Sequence, residues 1–192
     1  MKELWDKLKL NLRPLIPELD SVLNKGITLT QKISLEQKLG VSLPIDFIEF
    51  YQCHNGQSSD HPYIIFCEEL LSFERIEFEW SVWQGLLNTN AIKNEPNPHL
   101  NFSDAGIKNN HWNSKWIPIT YDGSGNHICL DLDPDVGGTY GQIIRFWHDD
   151  PVRTLEADSF KGWICNYVDK LSVGEMTYSP LHFGIIEKKL IE

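Results

Sequence analysis

Residues 121–135, YDGSGNHICLDLDPD, bring together side chains of the kinds that bind metals and phosphates. A calcium loop needs oxygen ligands at its positions 1, 3 and 5, glycine at position 6 and a bidentate glutamate at position 12. Counted from Asp122, the sixth position is His127 and the twelfth is Asp133, so two requirements fail. A dinucleotide-binding G-x-G-x-x-G motif would need a third glycine where Ile128 stands. The stretch therefore predicts neither a metal site nor a phosphate site.

The same stretch fits a turn that leads into a strand. Residues 122–126, DGSGN, have the composition of a tight turn, and residues 127–132 alternate with the two-residue period of a strand. The alternation places Ile128, Leu130 and Leu132 on one face and His127, Cys129 and Asp131 on the other. This pattern predicts a half-buried strand that ends in a second turn, DPDVGG.

Aspartates at and beyond this strand are the main candidates for a binding role. We expect them to form an acidic surface at one end of the sheet, which would attract a basic protein partner. Turn capping is the alternative, because aspartates near a proline such as Pro134 commonly accept hydrogen bonds from their own backbone. One tryptophan in a polar neighbourhood is the candidate exposed anchor, since tryptophan is enriched at binding hot spots. The candidate partner-binding residues are Asp122, Asp131, Asp133, Asp135, Asp149, Asp150 and Trp112.

No catalytic arrangement emerges from the residue pattern. His148 beside Asp149 resembles a base and its orienting group, but neighbours on a strand point to opposite faces, and no G-x-S-x-G nucleophile motif occurs. Four other residues could be considered as zinc ligands, but they lack the paired spacing of a structural zinc site: Cys53, His54, His61 and Cys67. We predict no enzyme activity, no metal and no cofactor, and keep a metal-dependent hydrolase as a third alternative.

Composition restricts the class of protein further. The 192 residues are 41% hydrophobic and include seven tryptophans, which predicts one folded domain with a sizeable core. Lys and Arg total 17 against 27 Asp and Glu, a net charge of −10, and this disfavours nucleic-acid binding because phosphate contacts need basic surface. No stretch approaches the ~20 apolar residues of a membrane-spanning helix, and no signal peptide is recognisable. We therefore expect a cytoplasmic protein with reduced cysteines.

The elements that would position these residues follow from periodicity and turn signals. Short turns between the strands predict antiparallel pairing, and helices before and after them predict an α+β domain with helices packed on one face of an antiparallel sheet. Residues 92–108 are polar and interrupted by prolines, which predicts a loop. Predicted helices cover 4–22 (interrupted by Pro14 and Pro17), 30–39 (capped by Thr30), 44–54, 73–91 and 159–171; predicted strands cover 62–66, 116–120, 127–132, 141–147 and 152–157.

Two segments resemble the SMI1/KNR4 family, also called the SUKH superfamily. Residues 35–56, LEQKLGVSLPIDFIEFYQCHNG, are similar to the family's opening signature, and residues 111–150 are similar to its core of Trp-Ile-Pro, Gly-turn, Asp-bearing and Gly-Gln strands. The positions that carry the resemblance are Glu36, Leu39, Gly40, Leu43, Pro44, Phe50, Tyr51, Asn55, Gly56, Trp116, Pro118, Asp122, Gly123, Gly125, Asp131, Gly141 and His148. The resemblance covers about residues 5–171, which leaves 172–192 as a carboxyl-terminal extension of one domain spanning 1–192.

The resemblance implies protein binding and no shared catalytic set. Bacterial members look like immunity proteins that neutralise toxins, and fungal members resemble regulators of cell-wall synthesis and signalling. Our first hypothesis is an immunity protein that binds a cognate bacterial toxin, for example a basic one, and the chain's compact length favours it. The alternative is a regulatory scaffold of cell-wall synthesis. The acidic surface or the loop at 92–108 would contact the partner, and the oligomeric state stays open.

Overall fold

The computed structural model describes residues 1–92 and 103–191, and within them the chain forms six α-helices, eight strands and one short 3-10 helix. The helices are α1 Lys2–Leu12, α2 Leu19–Val22, α3 Leu29–Leu39, α4 Ile45–Cys53, α5 Phe73–Asn88 and α6 Phe160–Ser172. The strands are β1 Glu69–Leu70, β2 Trp116–Pro118, β3 Thr120–Tyr121, β4 His127–Asp131, β5 Gln142–Phe146, β6 Arg153–Ala157, β7 Met176–Ser179 and β8 Gly184–Glu187. The predicted α+β class is confirmed.

The amino-terminal helices follow the sequence signals with one correction. Pro14 and Pro17 lie between α1 and α2, which accounts for the break in the helical segment. Helix α3 is capped by Thr28 and not by the predicted Thr30. The Thr28 hydroxyl accepts a hydrogen bond from the backbone N–H of Gln31, and the Gln31 side-chain oxygen accepts one from the Thr28 N–H. This reciprocal capping box satisfies two N–H groups that the start of a helix leaves unpaired.

The central sheet has four antiparallel strands in the order β2-β4-β5-β6. His127 at the start of β4 pairs with Phe146 at the end of β5, and Asp131 at the end of β4 pairs with Gln142. The antiparallel pairing was predicted from the short turns, and it is confirmed. The expectation of a half-buried β4 is wrong, because all five of its residues are buried.

Both faces of the sheet are covered, so the expectation of helices on one face only is wrong, and β4 has no solvent side. On one face, Ile128 lies opposite Arg145, and helix α6 packs against β5 and β6. On the other face, His127, Phe146 and Arg153 are neighbours. Helix α5 packs against β2 and sets the Trp83 ring against the rings of His127 and Phe146. We call these the α6 face and the α5 face.

The carboxyl-terminal residues form a β7–β8 hairpin followed by the 3-10 helix Lys188–Leu190. Three backbone hydrogen bonds attach Phe183 and the start of β8 to the segment around Tyr63: Tyr63 N–H to Phe183 O at 2.9 Å, Ile185 N–H to Tyr63 O at 2.9 Å, and Cys67 N–H to Ile185 O at 2.8 Å. The predicted strand at 62–66 forms only isolated bridges, one of them to Gly184. Of the predicted loop at 92–108, residues 93–102 lie outside the described residues.

Candidate functional site

The predicted acidic surface is divided between the two ends of the sheet. Strand β4 runs from the turn that contains Asp122 to the turn that contains Asp133 and Asp135, and the antiparallel β5 returns to Asp149 and Asp150. Five residues of β4 therefore separate the two groups, a distance of about 13 Å at the usual rise of an extended chain. The expectation of one acidic surface at one end is wrong, because antiparallel connectivity carries the chain back to the starting end.

Asp122 organises the turn at the first end of the sheet. Its carboxylate accepts hydrogen bonds from the backbone N–H groups of Ser124 at 2.8 Å and Asn126 at 3.1 Å, and from the side chains of both residues. Partial burial opposes ionisation, but these hydrogen bonds prevail and lower the pKa of Asp122. Turn capping, the alternative role considered for these aspartates, describes Asp122.

Asn126 connects this turn to the segment that follows β5. Its side-chain amide donates to Asp122 at 2.6 Å, and its oxygen accepts from the backbone N–H of His148 at 2.9 Å. Gly125 has φ of 107°, and a side chain there would approach the His148 ring to 3.4 Å. The turn and the segment thus form one connected surface.

Solvent-exposed groups lie beside this connected surface. The side chain of Asp149 is 76% exposed and Asp150 is also exposed. Trp147 is 39% exposed, and the Arg145 guanidinium lies 4.9 Å from its ring centre. We call Asp122, Trp147, His148, Asp149 and Asp150 the acidic end.

Asp131 is not available to a partner in this structure. It is fully buried, and its carboxylate accepts hydrogen bonds from the Gln142 side chain at 2.8 Å and the Asp133 backbone N–H at 2.9 Å. Burial raises its pKa, because a carboxylate loses hydration inside the protein. Asp131 therefore has a structural role at the end of β4, where it accepts hydrogen bonds from the chain itself. The prediction that it lies on an exposed surface is wrong.

Asp133 and Asp135 form the second end of the sheet. Asp133 pairs with Lys108 at 2.5 Å and accepts a hydrogen bond from the Asn113 side chain at 2.8 Å. Asp135 is exposed and accepts a hydrogen bond from the Val136 backbone N–H at 2.8 Å. Because Lys108 compensates one of these carboxylates, this end presents less free negative charge than the acidic end.

Trp112 is a core residue, so its predicted exposure is wrong. Its side chain is fully buried, stacked on Trp83 at 5.3 Å and set edge-on to Phe146 at 5.2 Å. The polar residues around it in sequence suggested a surface position. Packing against helix α5, which sequence proximity does not reveal, determines its actual environment.

Sequence reasoning missed a buried ionic network on the α6 face. Arg145 donates to Glu68, whose other oxygen accepts from the Thr120 hydroxyl, and Arg145 Nε lies 4.0 Å from Glu156. Glu68 is 5% exposed, and burial raises its pKa. Nothing in the spacing of these residues links them, since 77 residues separate Glu68 from Arg145.

The described residues contain no group of three or more His, Cys, Asp or Glu side chains placed to hold a metal ion. The His148 Nδ1 and Asp149 Oδ1 atoms are 4.0 Å apart, too far for a hydrogen bond. Burial raises the pKa of Cys67 to about 11, which keeps this thiol protonated. Among the residues that the structure places, no helix is long and apolar enough to cross a membrane.

Comparison with known proteins identifies the family. The profile of the SMI1 / KNR4 family (SUKH-1) matches residues 26–166, which is most of the chain. The chain belongs to the SMI1/KNR4 family. The match includes the acidic end and the central sheet, and it ends within α6, before the carboxyl-terminal hairpin.

Several relatives of this SMI1/KNR4 chain are named as regulators and not as enzymes. "Glucan synthesis regulatory protein" of Neurospora crassa is 27% identical over 202 residues, 88% of this chain and 38% of the relative. "Cell wall biosynthesis/cell cycle regulator smi1" of Schizosaccharomyces pombe is 28% identical over 72% of this chain and 30% of the relative. "Cell wall assembly regulator SMI1" of Saccharomyces cerevisiae is 20% identical over 82% of this chain. The chain therefore spans well under half of the length of these relatives.

Proposed function

We propose that this chain is a non-catalytic protein-binding domain that regulates cell-wall glucan synthesis or assembly. The observation that carries the proposal is the alignment of 88% of the chain with a relative named for the regulation of glucan synthesis. The names of the Schizosaccharomyces pombe and Saccharomyces cerevisiae relatives support the same role. Because each relative is much longer, we assign to this chain the part of that role that a single domain performs.

We propose the acidic end as the surface that contacts the partner. Asp149 and Asp150 are exposed beside Trp147, and such a combination of carboxylates with an aromatic ring suits a basic partner that also offers an apolar side chain. The net charge of −10 would speed the encounter with such a partner.

Fixed geometry at the acidic end would favour binding. The hydrogen bonds of Asn126 hold the Asp122 turn against His148, and the Arg145 guanidinium packs against the Trp147 ring. A surface that is already ordered loses less conformational entropy when it binds, so more of the contact energy contributes to affinity.

A domain exchange tests the proposal. The aligned segment of the Neurospora crassa relative is replaced by this chain in a strain that lacks the native gene, and growth is measured on medium that contains a wall-degrading glucanase. We expect the chimera to restore growth to near the level of the native gene. A chimera that accumulates normally but grows no better than the deletion strain would refute the regulatory role.

Charge reversal tests the proposed surface within the same chimera. The double variant Asp149→Lys/Asp150→Lys is compared with Asp60→Lys/Asp135→Lys, whose targets are also exposed and whose net charge is the same. We expect the first variant to lose the restored growth and the second to keep it. Equal growth of the two variants would show that the acidic end is not the contact surface.

The immunity-protein hypothesis stays a prediction. The three relatives above are named as regulators of the wall, and none of these names refers to a toxin. An immunity protein would neutralise a toxin and would not restore growth in the chimera, so the domain exchange also separates these two hypotheses.

A further inference from the structure

A cleft of about 360 Å³ opens between the α6 face of the sheet, helix α6 and the carboxyl-terminal segment. Its apolar lining comes from Phe66, Ile128, Trp163, Ile186 and Leu190. This volume lies at the lower end of the roughly 300–1,000 Å³ that small-molecule sites span. The cleft therefore has room for a compact group such as one aromatic ring with a short substituent.

The charged groups around this apolar lining are arranged unevenly. Arg145, Lys170 and Lys189 contribute positive charge, while Glu156 and Glu187 contribute negative charge. Arg145 is compensated by Glu68 and lies near Glu156, so the positive region of the lining is its other end, where Lys170 and Lys189 surround the single carboxylate of Glu187.

Hydrogen-bonding capacity strengthens this imbalance. Both oxygens of Glu187 are occupied, one by Lys170 and the other by Lys189 at 2.6 Å, and these partners lower its pKa. Each lysine has three donor hydrogens and uses one on Glu187. Of the Arg145 nitrogens, only Nη1 donates a hydrogen bond to another described residue. The two lysines thus keep unused donors beside a carboxylate whose oxygens are both occupied, which favours an anionic ligand at this end of the cleft.

A strained turn places an aromatic ring at this cleft. Phe66 and Cys67 have φ of 48° and 57°, and the Glu68 N–H donates to Ile65 O at 2.9 Å, so the two residues form the centre of a turn that glycine and asparagine normally occupy. The turn sets the Phe66 ring 4.6 Å from the ring of Tyr167 and beneath the Lys170 ammonium at 5.6 Å. Backbone strain of this kind clusters at ligand sites, where it fixes a side chain in the required position.

We propose that the cleft binds a small amphipathic anion, an aromatic or branched apolar group that carries one carboxylate. The apolar part would lie among Phe66, Trp163 and Leu190, and the carboxylate would accept hydrogen bonds from Lys170 and Lys189 at the rim. The same chemistry occurs in a free organic acid and in the carboxyl terminus of a peptide. The proposal concerns a site apart from the acidic end and does not depend on the regulatory function.

Titration of the purified chain, followed by nuclear magnetic resonance, tests the proposal with three ligands of one shape. Phenylacetate carries the carboxylate, phenylacetamide is its neutral analogue and phenethylamine is a cation. We expect phenylacetate to shift the Trp163 indole and the Leu190 backbone signals with a Kd of about 1 mM, as befits a ligand of this size. The amide and the amine should bind at least about fivefold more weakly, because they lack the charge that the lysines select.

Two further results would overturn the proposal. One is equal binding of phenylacetate and phenylacetamide, and the other is no shift of cleft signals with phenylacetate up to about 10 mM. N-acetylphenylalanine distinguishes the two sources of the ligand: binding at least as tight as that of phenylacetate supports a peptide terminus, and weaker binding supports a free acid.

A pair of neighbouring lysines provides the matched variants. Lys189 lines the cleft and its side chain is 73% exposed, whereas Lys188 is exposed but lies outside the lining. Lys189→Gln should weaken phenylacetate binding about threefold to tenfold and Lys188→Gln should leave it unchanged.

Leu190→Asp, at a residue that is 66% exposed, should abolish binding by repulsion while the thermal melting curve stays that of the native chain. Unchanged affinity in both Lys189→Gln and Leu190→Asp would contradict the assignment.

Discussion

Each face of the central sheet contains one arginine, fully buried in the case of Arg153 and 14% exposed in the case of the Arg145 side chain, and the two arginines have different surroundings. Arg145 on the α6 face is paired with the carboxylate of Glu68 and lies near Glu156. Arg153 on the α5 face has no carboxylate partner among the described residues. Its guanidinium donates to the carbonyl oxygens of Asp150, Val152 and His111, and it lies 4.4 Å from the centre of the Phe146 ring.

The surroundings of the two arginines show that the α5 face is closed by packing, whereas the α6 face contains an open cleft. The α5 face is closed by tryptophan rings, and burial without a counter-ion lowers the pKa of Arg153 to about 10. On the α6 face, the charge of Arg145 is compensated, and the cleft leaves room beside it. We infer that Arg153 fastens the chain through its carbonyl contacts, whereas Arg145 also supports Trp147 at the acidic end and the lining of the cleft.

The largest effect should come from breaking the ion pair on the α6 face. Arg145→Met leaves the Glu68 carboxylate buried and uncompensated, which should lower the free energy of unfolding by about 3–5 kcal/mol. The double variant Glu68→Gln/Arg145→Met removes the orphaned charge and should recover much of that loss. Urea denaturation gives the free energy of unfolding of both variants. A double variant as unstable as Arg145→Met would contradict the explanation that an uncompensated Glu68 charge causes the loss.

The next effect concerns His127 on the α5 face. Its Nε2 accepts a hydrogen bond from the Trp83 indole at 3.1 Å, its Nδ1 lies 2.7 Å from Thr120 O, and burial lowers its pKa from 6.5 to about 4. The unfolded chain binds a proton at His127 more readily than the folded chain does. The contribution of neutral His127 to the free energy of unfolding is therefore complete above pH 6.5 and is lost as the pH falls towards 4. The loss from His127 should amount to about 3 kcal/mol.

Denaturation of the native chain and of His127→Gln at pH 7, 6, 5 and 4 isolates this contribution. The glutamine can keep one acceptor and one donor but does not titrate, so its stability should fall less over this range. Parallel pH curves for the two proteins would show that His127 is not the group responsible.

A smaller effect is expected for the arginine of the α5 face. Arg153→Met removes the donors to three carbonyl groups but leaves no buried charge behind, so it should cost about 1–3 kcal/mol. Measured beside Arg145→Met under the same conditions, it should be the less harmful substitution. The reverse order would mean that the carbonyl and aromatic contacts of Arg153 outweigh the ion pair.

The smallest effect tests the strain in the turn at the cleft. Cys67→Gly and Cys67→Ala both remove the thiol, but only glycine adopts a positive φ without a steric penalty. We expect Cys67→Gly to be more stable than Cys67→Ala by about 1 kcal/mol in urea denaturation. A more stable alanine variant would show that the turn is not strained at this position.

Local signals predicted much of the fold. The short turns around β4 and β5 were enough to predict antiparallel pairing, and the prolines were enough to predict the break between α1 and α2. Thr28 was missed as a helix cap because Thr30 offered the same chemistry two residues later. A choice of this kind depends on which hydrogen bonds form, and sequence spacing leaves it open.

Long-range contacts explain where the site predictions failed. The pattern of Asp131 predicted an exposed carboxylate, but its burial follows from Gln142, which only the strand register brings to it. Trp112 is buried because α5 supplies Trp83 from far along the chain. The Glu68–Arg145 pair had no sequence signature, because two charged residues 77 positions apart reveal their contact only in the folded chain.

The most direct test of the proposed regulatory role is the rate of glucan synthesis. Labelled glucose incorporation into wall glucan is measured in the Neurospora crassa deletion strain that carries the chimera, its Asp149→Lys/Asp150→Lys variant or its Asp60→Lys/Asp135→Lys control. We predict near-native incorporation for the chimera and the control, and the rate of the deletion strain for the variant at the acidic end. Incorporation at the deletion level for all three, with the proteins present at normal amounts, would contradict the regulatory role.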